Sequence, residues 1–269
     1  MAIITKITTQ KQSDDRFNIF LDDGSGERFA FSVDQDVLIK FNLKKGKELD
    51  EFDIIEIQYG DELKKAYNKA LDFLSYRMRS MKEVEDHLRK YEYNDAIIQE
   101  TIGKLKDNRY VDDLEFAIAY VKTGWQTNGK GPTVLKRELE AKGVASLLIE
   151  QALEQYDQEA QVEEAINHAN KLLKKNHNLS TVLLKAKLEQ YLLRKGYSYS
   201  IISIALEEVQ FEQNDNEEME ALMKQAEKAK RKYSHEEDYQ YKQKMKQFLY
   251  RKGFSIELIE KYLNEGLNE

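Results

Sequence analysis

The feature that most limits how this chain can fold is a phrase it writes four times: a charged helix end, a turn, then an apolar helix. The copies lie at 87–93, 138–144, 191–197 and 248–254. Each places a leucine at the same point, Leu88, Leu139, Leu192 and Leu249, so successive copies are 51, 53 and 57 residues apart. A period near this length belongs to a small supersecondary unit that must stack on its neighbours to bury a core. An array of such units offers a long surface more readily than a deep pocket, which favours binding over catalysis.

The residues around each leucine predict a three-helix unit. Four positions earlier stand Val84, Leu135, Leu188 and Met245, one helical turn away on the same face. Ten and fourteen positions later come Ile98 and Ile102, Ile149 and Leu153, Ile202 and Leu206, and Ile259 and Leu263, the buried stripe of a third helix. Asn94, Ser198 and Ser255 fall at that helix's cap, with Ala145 and then Ser146 in the second unit. An oxygen side chain at a cap is worth about 1 kcal/mol. Ser80 with Glu83, and Ser234 with Glu237, read as capping boxes. Gly143, Gly196 and Gly253 suit a left-handed turn between helices two and three, and Glu92 in the first unit predicts a strained turn or a different one.

Opening helices are expected along Tyr67, Ala70, Leu71 and Leu74, then along Phe116, Ala119 and Tyr120 after an Asp112–Glu115 start. The third runs along Val162, Ala165, Ile166, Ala169 and Leu173, and the fourth along Met219, Leu222, Met223, Ala226 and Tyr233. Ahead of them, alternating residues predict strands over 3–9, 16–21 and 27–33, broken at Ser13-Asp14-Asp15 and at Asp22–Gly26. A helical stretch near 34–42, a turn at 44–47 and a helix over 52–59 follow. The predicted class is therefore mainly α: tandem helix-turn-helix-like three-helix repeats in an elongated array, with a small N-terminal β-rich domain. The boundaries are 1–62 for the acidic β-rich domain and 63–111, 112–157, 158–212 and 213–269 for the four repeats.

Charge narrows the partner. Residues 1–62 hold 8 basic against 14 acidic side chains, whereas 63–111 hold 11 against 8, a local excess of three. With a total of −7, the chain is too acidic for a protein whose main partner is naked DNA; weak DNA binding, collapsing by ~0.2 M salt, is the most expected. No cysteine is present, which removes disulfides and thiolate chemistry and fits a reducing compartment. No apolar run is long enough for a membrane span, and no secretion signal opens the chain. A cytoplasmic monomer, away from membranes, is expected.

Motifs of reaction chemistry are incomplete. Gly124–Gly131 satisfies the spacing of a phosphate loop but has Gly131 where a hydroxyl should hold Mg²⁺, and follows a helix rather than a strand. It reads as a glycine-rich inter-helix loop, with Pro132 opening the next helix and Trp125 more suited to a core plug than to an exposed anchor. His87, His168, His177 and His235 lack metal-ligand spacing, and no cofactor is expected. The Arg77, Arg79 and Lys82 group, with Met78 and Met81 between, could pair with carboxylates or phosphates.

The segment from about 70 to 156 resembles the RecX family. The resemblance rests on Leu74–Val84, Asn108–Asp113, Phe116–Val121 and Gly129–Val144, which keep the order L-x-x-R-x-x-S-x-x-E-V, D-D-x-x-F-A-x-x-Y and G-P-x-x-L-x-x-E-L-x-x-K-G. Matching positions are Arg77, Ser80, Glu83, Phe116, Tyr120, Gly131, Pro132, Leu139 and Gly143. The resemblance implies a non-enzymatic regulator that binds the recombinase RecA, docks along the groove of its nucleoprotein filament and restrains filament growth, strand exchange and the SOS damage response. Family members typically have about three repeats, so a fourth and the β-rich extension depart from the pattern. The basic and aromatic side chains of the matching segment, Arg77, Arg79, Lys82, Tyr120, Lys130, Arg137 and Lys142, become candidate partner contacts. Charge reversal at Arg77 and Arg79 is expected to weaken inhibition of RecA ATPase without lowering the melting temperature. The rival reading is a helical module that binds single- or double-stranded DNA directly; a metal-dependent nuclease has no supporting spacing.

Overall fold

In a computed structural model, residues 1–10, 13–176, 178–209, 211, 215–233 and 238–265 are described. His177, His235 and the Ser234–Glu237 capping box lie outside them. The described residues form four strands and thirteen helices. They group into two compact units, residues 1–116 with 142–145, and residues 117–141 with 146–269.

The N-terminal strands β1 (Ala2–Gln10), β2 (Ser13–Asp22) and β3 (Arg28–Asp34) join β4 (Glu48–Leu49) in an antiparallel sheet of order β3-β2-β1-β4. Ser13–Asp15, expected as a turn, begin β2 instead, because the strand extends its pairing back to Gln10. Alternation decides the buried face: Ile19 and Leu21 are buried and pack with Ile4, Phe31 and Val33. Helix α1 (Gln35–Lys40) follows. Helix α2 (Glu51–Ser75) starts at a capping box between Asp50 and Asp53, so the 52–59 segment is helical as expected. This one helix supplies Ile57 to the sheet's core and Leu63, Ala66 and Ala70 to the first repeat. Buried Asp61 accepts Arg16 from β2 at 2.9 Å, Lys65 at 2.8 Å and the Asp34 N–H at 2.8 Å. Burial pushes its carboxyl up, but the bonds from Arg16 and Lys65 prevail and hold it below the usual range.

Four helix triples follow: α2 with α3 (Met81–Arg89) and α4 (Asp95–Asp107), then α5 (Asp113–Asn128), α6 (Pro132–Ala141) and α7 (Ser146–Leu153). The third comprises α8 (Gln158–Leu173), α9 (Thr181–Lys195) and α10 (Tyr199–Glu208), and the fourth α11 (Asp215–Tyr233), α12 (Asp238–Arg251) and α13 (Ile256–Glu265). All four anchor leucines and the residues four before them are fully buried. Burying a side chain of that size stabilises by about 1.5–3 kcal/mol. The third-helix caps form as expected: Asn94, Ser198 and Ser255 accept the N–H groups of Ile97, Ile201 and Leu258.

Three details of the helical faces differ from the sequence reading. Ala117 and Val121, not Ala119, are buried beside Phe116, because the inward face of α5 runs through Phe116, Ala117, Val121 and Gly124. Met223 is exposed, while Ala221, Gln225 and Ala229 are buried. Helix α5 also runs on to Asn128, so Gly124 and Trp125 are helical rather than looped. A Cβ on Gly124 would strike Leu135 of α6, and the half-buried Trp125 ring lies 4.2 Å from that of Tyr156.

Candidate partner-binding surface

In its second, third and fourth copies, the phrase repeated in the sequence is a joint. At each turn between second and third helices, the glycine has positive φ, 78° at Gly143, 94° at Gly196 and 78° at Gly253. The start of the preceding triple's second helix sits on that turn. Ser80, the N-cap of α3, donates its hydroxyl to the Lys142 carbonyl at 2.7 Å, and a Cβ on Gly143 would run into the Lys82 side chain. Ser180, the N-cap of α9, donates likewise to the Lys252 carbonyl, beside Gly253. In between, the Gly131 N–H donates to the Lys195 carbonyl at 2.7 Å and the Thr133 N–H to the Gly196 carbonyl at 3.1 Å. A Cβ on Gly131 would fall on Gly196 backbone, so this glycine of the segment that mimicked a phosphate loop stands where two backbones meet, whereas Gly129 faces the His168 side chain. The Tyr197 hydroxyl donates to the Gly129 carbonyl at 3.4 Å and shares a buried bond with the Tyr156 hydroxyl at 3.1 Å.

The first joint organises most of the candidate residues. Glu83 closes the capping box by accepting the Ser80 N–H, and its carboxylate also accepts Arg77 at 2.9 Å and Lys142 at 3.0 Å. Burial pushes the Glu83 carboxyl up, but Arg77, Lys142 and the Ser80 N–H together bring it down to about 2. Asp113, mostly buried, accepts the Met81 N–H at 2.8 Å; burial raises its carboxyl above the usual range. Arg77 also donates to the Met78 carbonyl at 2.9 Å. It is thereby a structural tie as well as an exposed cation, so its reversal is expected to cost stability, contrary to the sequence reading.

Arg79 lies with its guanidinium 4.1 Å from the centre of the Phe73 ring, and its buried Nε has no hydrogen-bond partner. Burial, then the Arg77 charge, lower its pKa. The same ring stacks on His87 at 3.8 Å, and His87 meets Tyr91 edge-on at 5.1 Å. Lys82 is half exposed, with Asp86 at 3.4 Å. In the second unit, Glu138 receives the Tyr120 hydroxyl at 2.8 Å and Lys130 at 2.7 Å, while Arg137 is exposed. The structure thus gathers Arg77, Lys82 and Lys142 at one joint, and Tyr120 and Lys130 on one carboxylate.

Sequence reasoning passed over Tyr76, which is 84% exposed beside Arg77, with Met78 also open to solvent. The available signal was an aromatic residue just after α2 ends, where no helical face needs one. An exposed aromatic next to guanidinium groups is the composition of an interface anchor. Among the described residues no group of three or more potential ligands could hold a metal ion, and no helix is long and apolar enough to cross a membrane.

Helical triples that follow a small sheet in the chain, with cationic and aromatic residues exposed on them, define a helical-repeat protein whose surfaces suit binding. Comparison with known proteins gives the family. The RecX N-terminal domain matches residues 2–50, the first RecX three-helix domain 66–105 and the second 112–153. The third matches twice, at 159–206 and 216–263. Regulatory protein RecX of Bacillus subtilis is 56% identical over 98% of this chain and 99% of its own length. That of Bacillus cytotoxicus is 46% identical over the whole of both. A crystal structure of regulatory protein RecX covers 77% of this chain and all of its own, at 36% identity and TM-score 0.67. That of RecX from Lactobacillus salivarius covers 55% of this chain and 97% of its own, at 40% identity and TM-score 0.54. The chain belongs to the RecX family of regulatory proteins.

Proposed function

We propose that this chain regulates the recombinase RecA, binding the RecA–DNA filament along its groove and limiting filament growth, ATPase activity and strand exchange. The observation that carries the reading is kinship over 98% of the chain with proteins named as regulators. Exposed Tyr76, Arg77 and Met78, with half-exposed Lys82 at the start of α3, surround the Glu83 cluster and support the reading as a surface for acidic or polar groups. The proposed contacts are Arg77, Arg79, Lys82, Tyr120, Lys130, Arg137 and Lys142, to which Tyr76 is added. Repeats at 63–111, 112–157, 158–212 and 213–269, after the 1–62 domain, suit a partner that itself repeats, since linked weak contacts gain through effective concentration. The proposal includes a cytoplasmic, monomeric, non-catalytic protein that acts in recombination and the SOS response.

The test is retention of RecA on the immobilised chain, with and without single-stranded DNA and a slowly hydrolysed ATP analogue, beside RecA ATPase assays. Retention and inhibition are expected, and absence of both overturns the reading. Tyr76→Ala combined with Arg137→Glu changes two exposed side chains and is expected to weaken inhibition at an unchanged melting temperature. Inhibition equal to the parent removes these two residues from the interface. The rival reading, direct DNA binding, draws on the basic excess of 63–111 with exposed Tyr76 and Tyr91. A gel shift on free DNA separates the two: nanomolar binding that survives ~0.2 M salt favours the rival.

A further inference from the structure

The first and third helices of the third repeat leave a groove between them. It has a volume of about 550 Å³, and its lining includes Val162, Ile166 and Ile204 with Glu159, Glu163 and Glu208. The three apolar residues are only half buried, and no basic residue lines the groove. None of the three carboxylates has a hydrogen-bond or ion-pair partner among the described residues.

Local helix physics disfavours this arrangement twice. Glu159 and Glu163 are one turn apart on α8, where like charges repel and a lysine at the second position would attract. Glu208 is the last residue of α10, preceded by Glu207, with no basic residue in the last turn; carboxylates there oppose the negative end of the helix dipole. Both departures surround one exposed apolar strip. Residues that break local preference around an open surface mark a place shaped by something other than stability. A groove on the first and third helices of the first repeat, also lined by α1, has the opposite character: Lys40, Lys64 and Lys104 line it, and Lys64 is paired with Asp36.

We propose that the groove of the third repeat is the docking site for a basic amphipathic helix of a partner protein. Apolar side chains spaced i, i+4 would lie on Val162, Ile166 and Ile204, and flanking lysines or arginines would pair with Glu159, Glu163 and Glu208. Charge complementarity selects this occupant: an acidic rim repels an acidic helix, and the apolar floor gives a free cation nothing to bind. The lysine-lined groove of the first repeat supplies an internal control, since a basic helix is repelled there.

The probe is an amidated synthetic helix of about 16 residues, with leucines at i, i+4 and lysines flanking them, titrated calorimetrically into the full chain at ~0.1 M salt. Hydrogen exchange then locates it. Binding is expected with protection confined to α8 and α10. Glu163→Lys with Glu208→Lys is expected to weaken it by at least about tenfold while the melting temperature holds or rises, because both changes relieve the helices. Rescue by the same probe carrying glutamates for lysines is expected in that variant. Equal binding by parent and variant, protection elsewhere, or tight binding of Ca²⁺ alone by the parent overturns the proposal. A parent dimer that the variant loses overturns it too, since the occupant is then a second copy of the chain.

Discussion

The turns at Glu92 and at Gly196 have the same backbone hand, with φ of 63° and 94°, and different occupants. Glu92 carries an exposed side chain into the left-handed region, at a cost of roughly 1–2 kcal/mol. At Gly196 the Val134 backbone stands where a Cβ would go, and the Thr133 N–H bonds the glycine's own carbonyl. Gly196 therefore answers two demands, of which the dihedral is the lesser; at Gly143 and Gly253 the neighbouring atoms belong to side chains. A fold absorbs a strained turn at the surface. It has no such remedy when the missing side chain is replaced by another segment's main chain.

The comparison breaks most visibly at Gly196→Ala. The new methyl meets backbone that cannot swing aside, and a loss of about 3 kcal/mol is expected, read as the shift in urea midpoint. A loss under about 1 kcal/mol would mean that the dihedral alone selected glycine. Next comes Glu83→Gln, which leaves Arg77 and Lys142 without their carboxylate and is expected to cost about 2 kcal/mol. The parent adds a pH signature. Glu83 sits at about 2 when folded against 4.5 ordinarily, so between those values the unfolded chain binds the extra proton. Its contribution is complete above about 4.5 and vanishes as pH falls toward 2, and Glu83→Gln should flatten that part of the stability curve. The smallest effect belongs to Glu92→Gly: relief of strain, offset by added chain freedom, predicts a gain near 0.5 kcal/mol. A loss on denaturation would show that the Glu92 side chain holds something in place.

The helical triples were readable because their core is written locally. Leu88, Leu139, Leu192 and Leu249, the partners four residues earlier and the caps at Asn94, Ser198 and Ser255 all follow from spacing within one segment. The positive φ at Glu92 was also foreseeable, from its alignment with three glycines. Contacts between segments were not. Nothing near Ser80 in the sequence announces the Lys142 carbonyl, and nothing near Gly131 announces Gly196. Hence Arg77 looked like a free cation, and Gly124 and Trp125 looked like loop because the close packing of Gly124 on Leu135 is a tertiary demand. Of the candidate surface, residue types could be named in advance, but which of them are already engaged by Glu83 or Glu138 could not.

The joints have a consequence for how such a chain can lengthen. A fastener that grips a peptide carbonyl asks its neighbour for a shape and hardly for a vocabulary: a glycine at the bend and a short cap residue opposite are nearly sufficient. The third RecX three-helix domain occurs here twice, and the Ser180 hydroxyl clips the second occurrence to the first at Lys252. A duplicated segment would arrive with both halves of the clip, so growth by copying needs no matched set of compensating mutations.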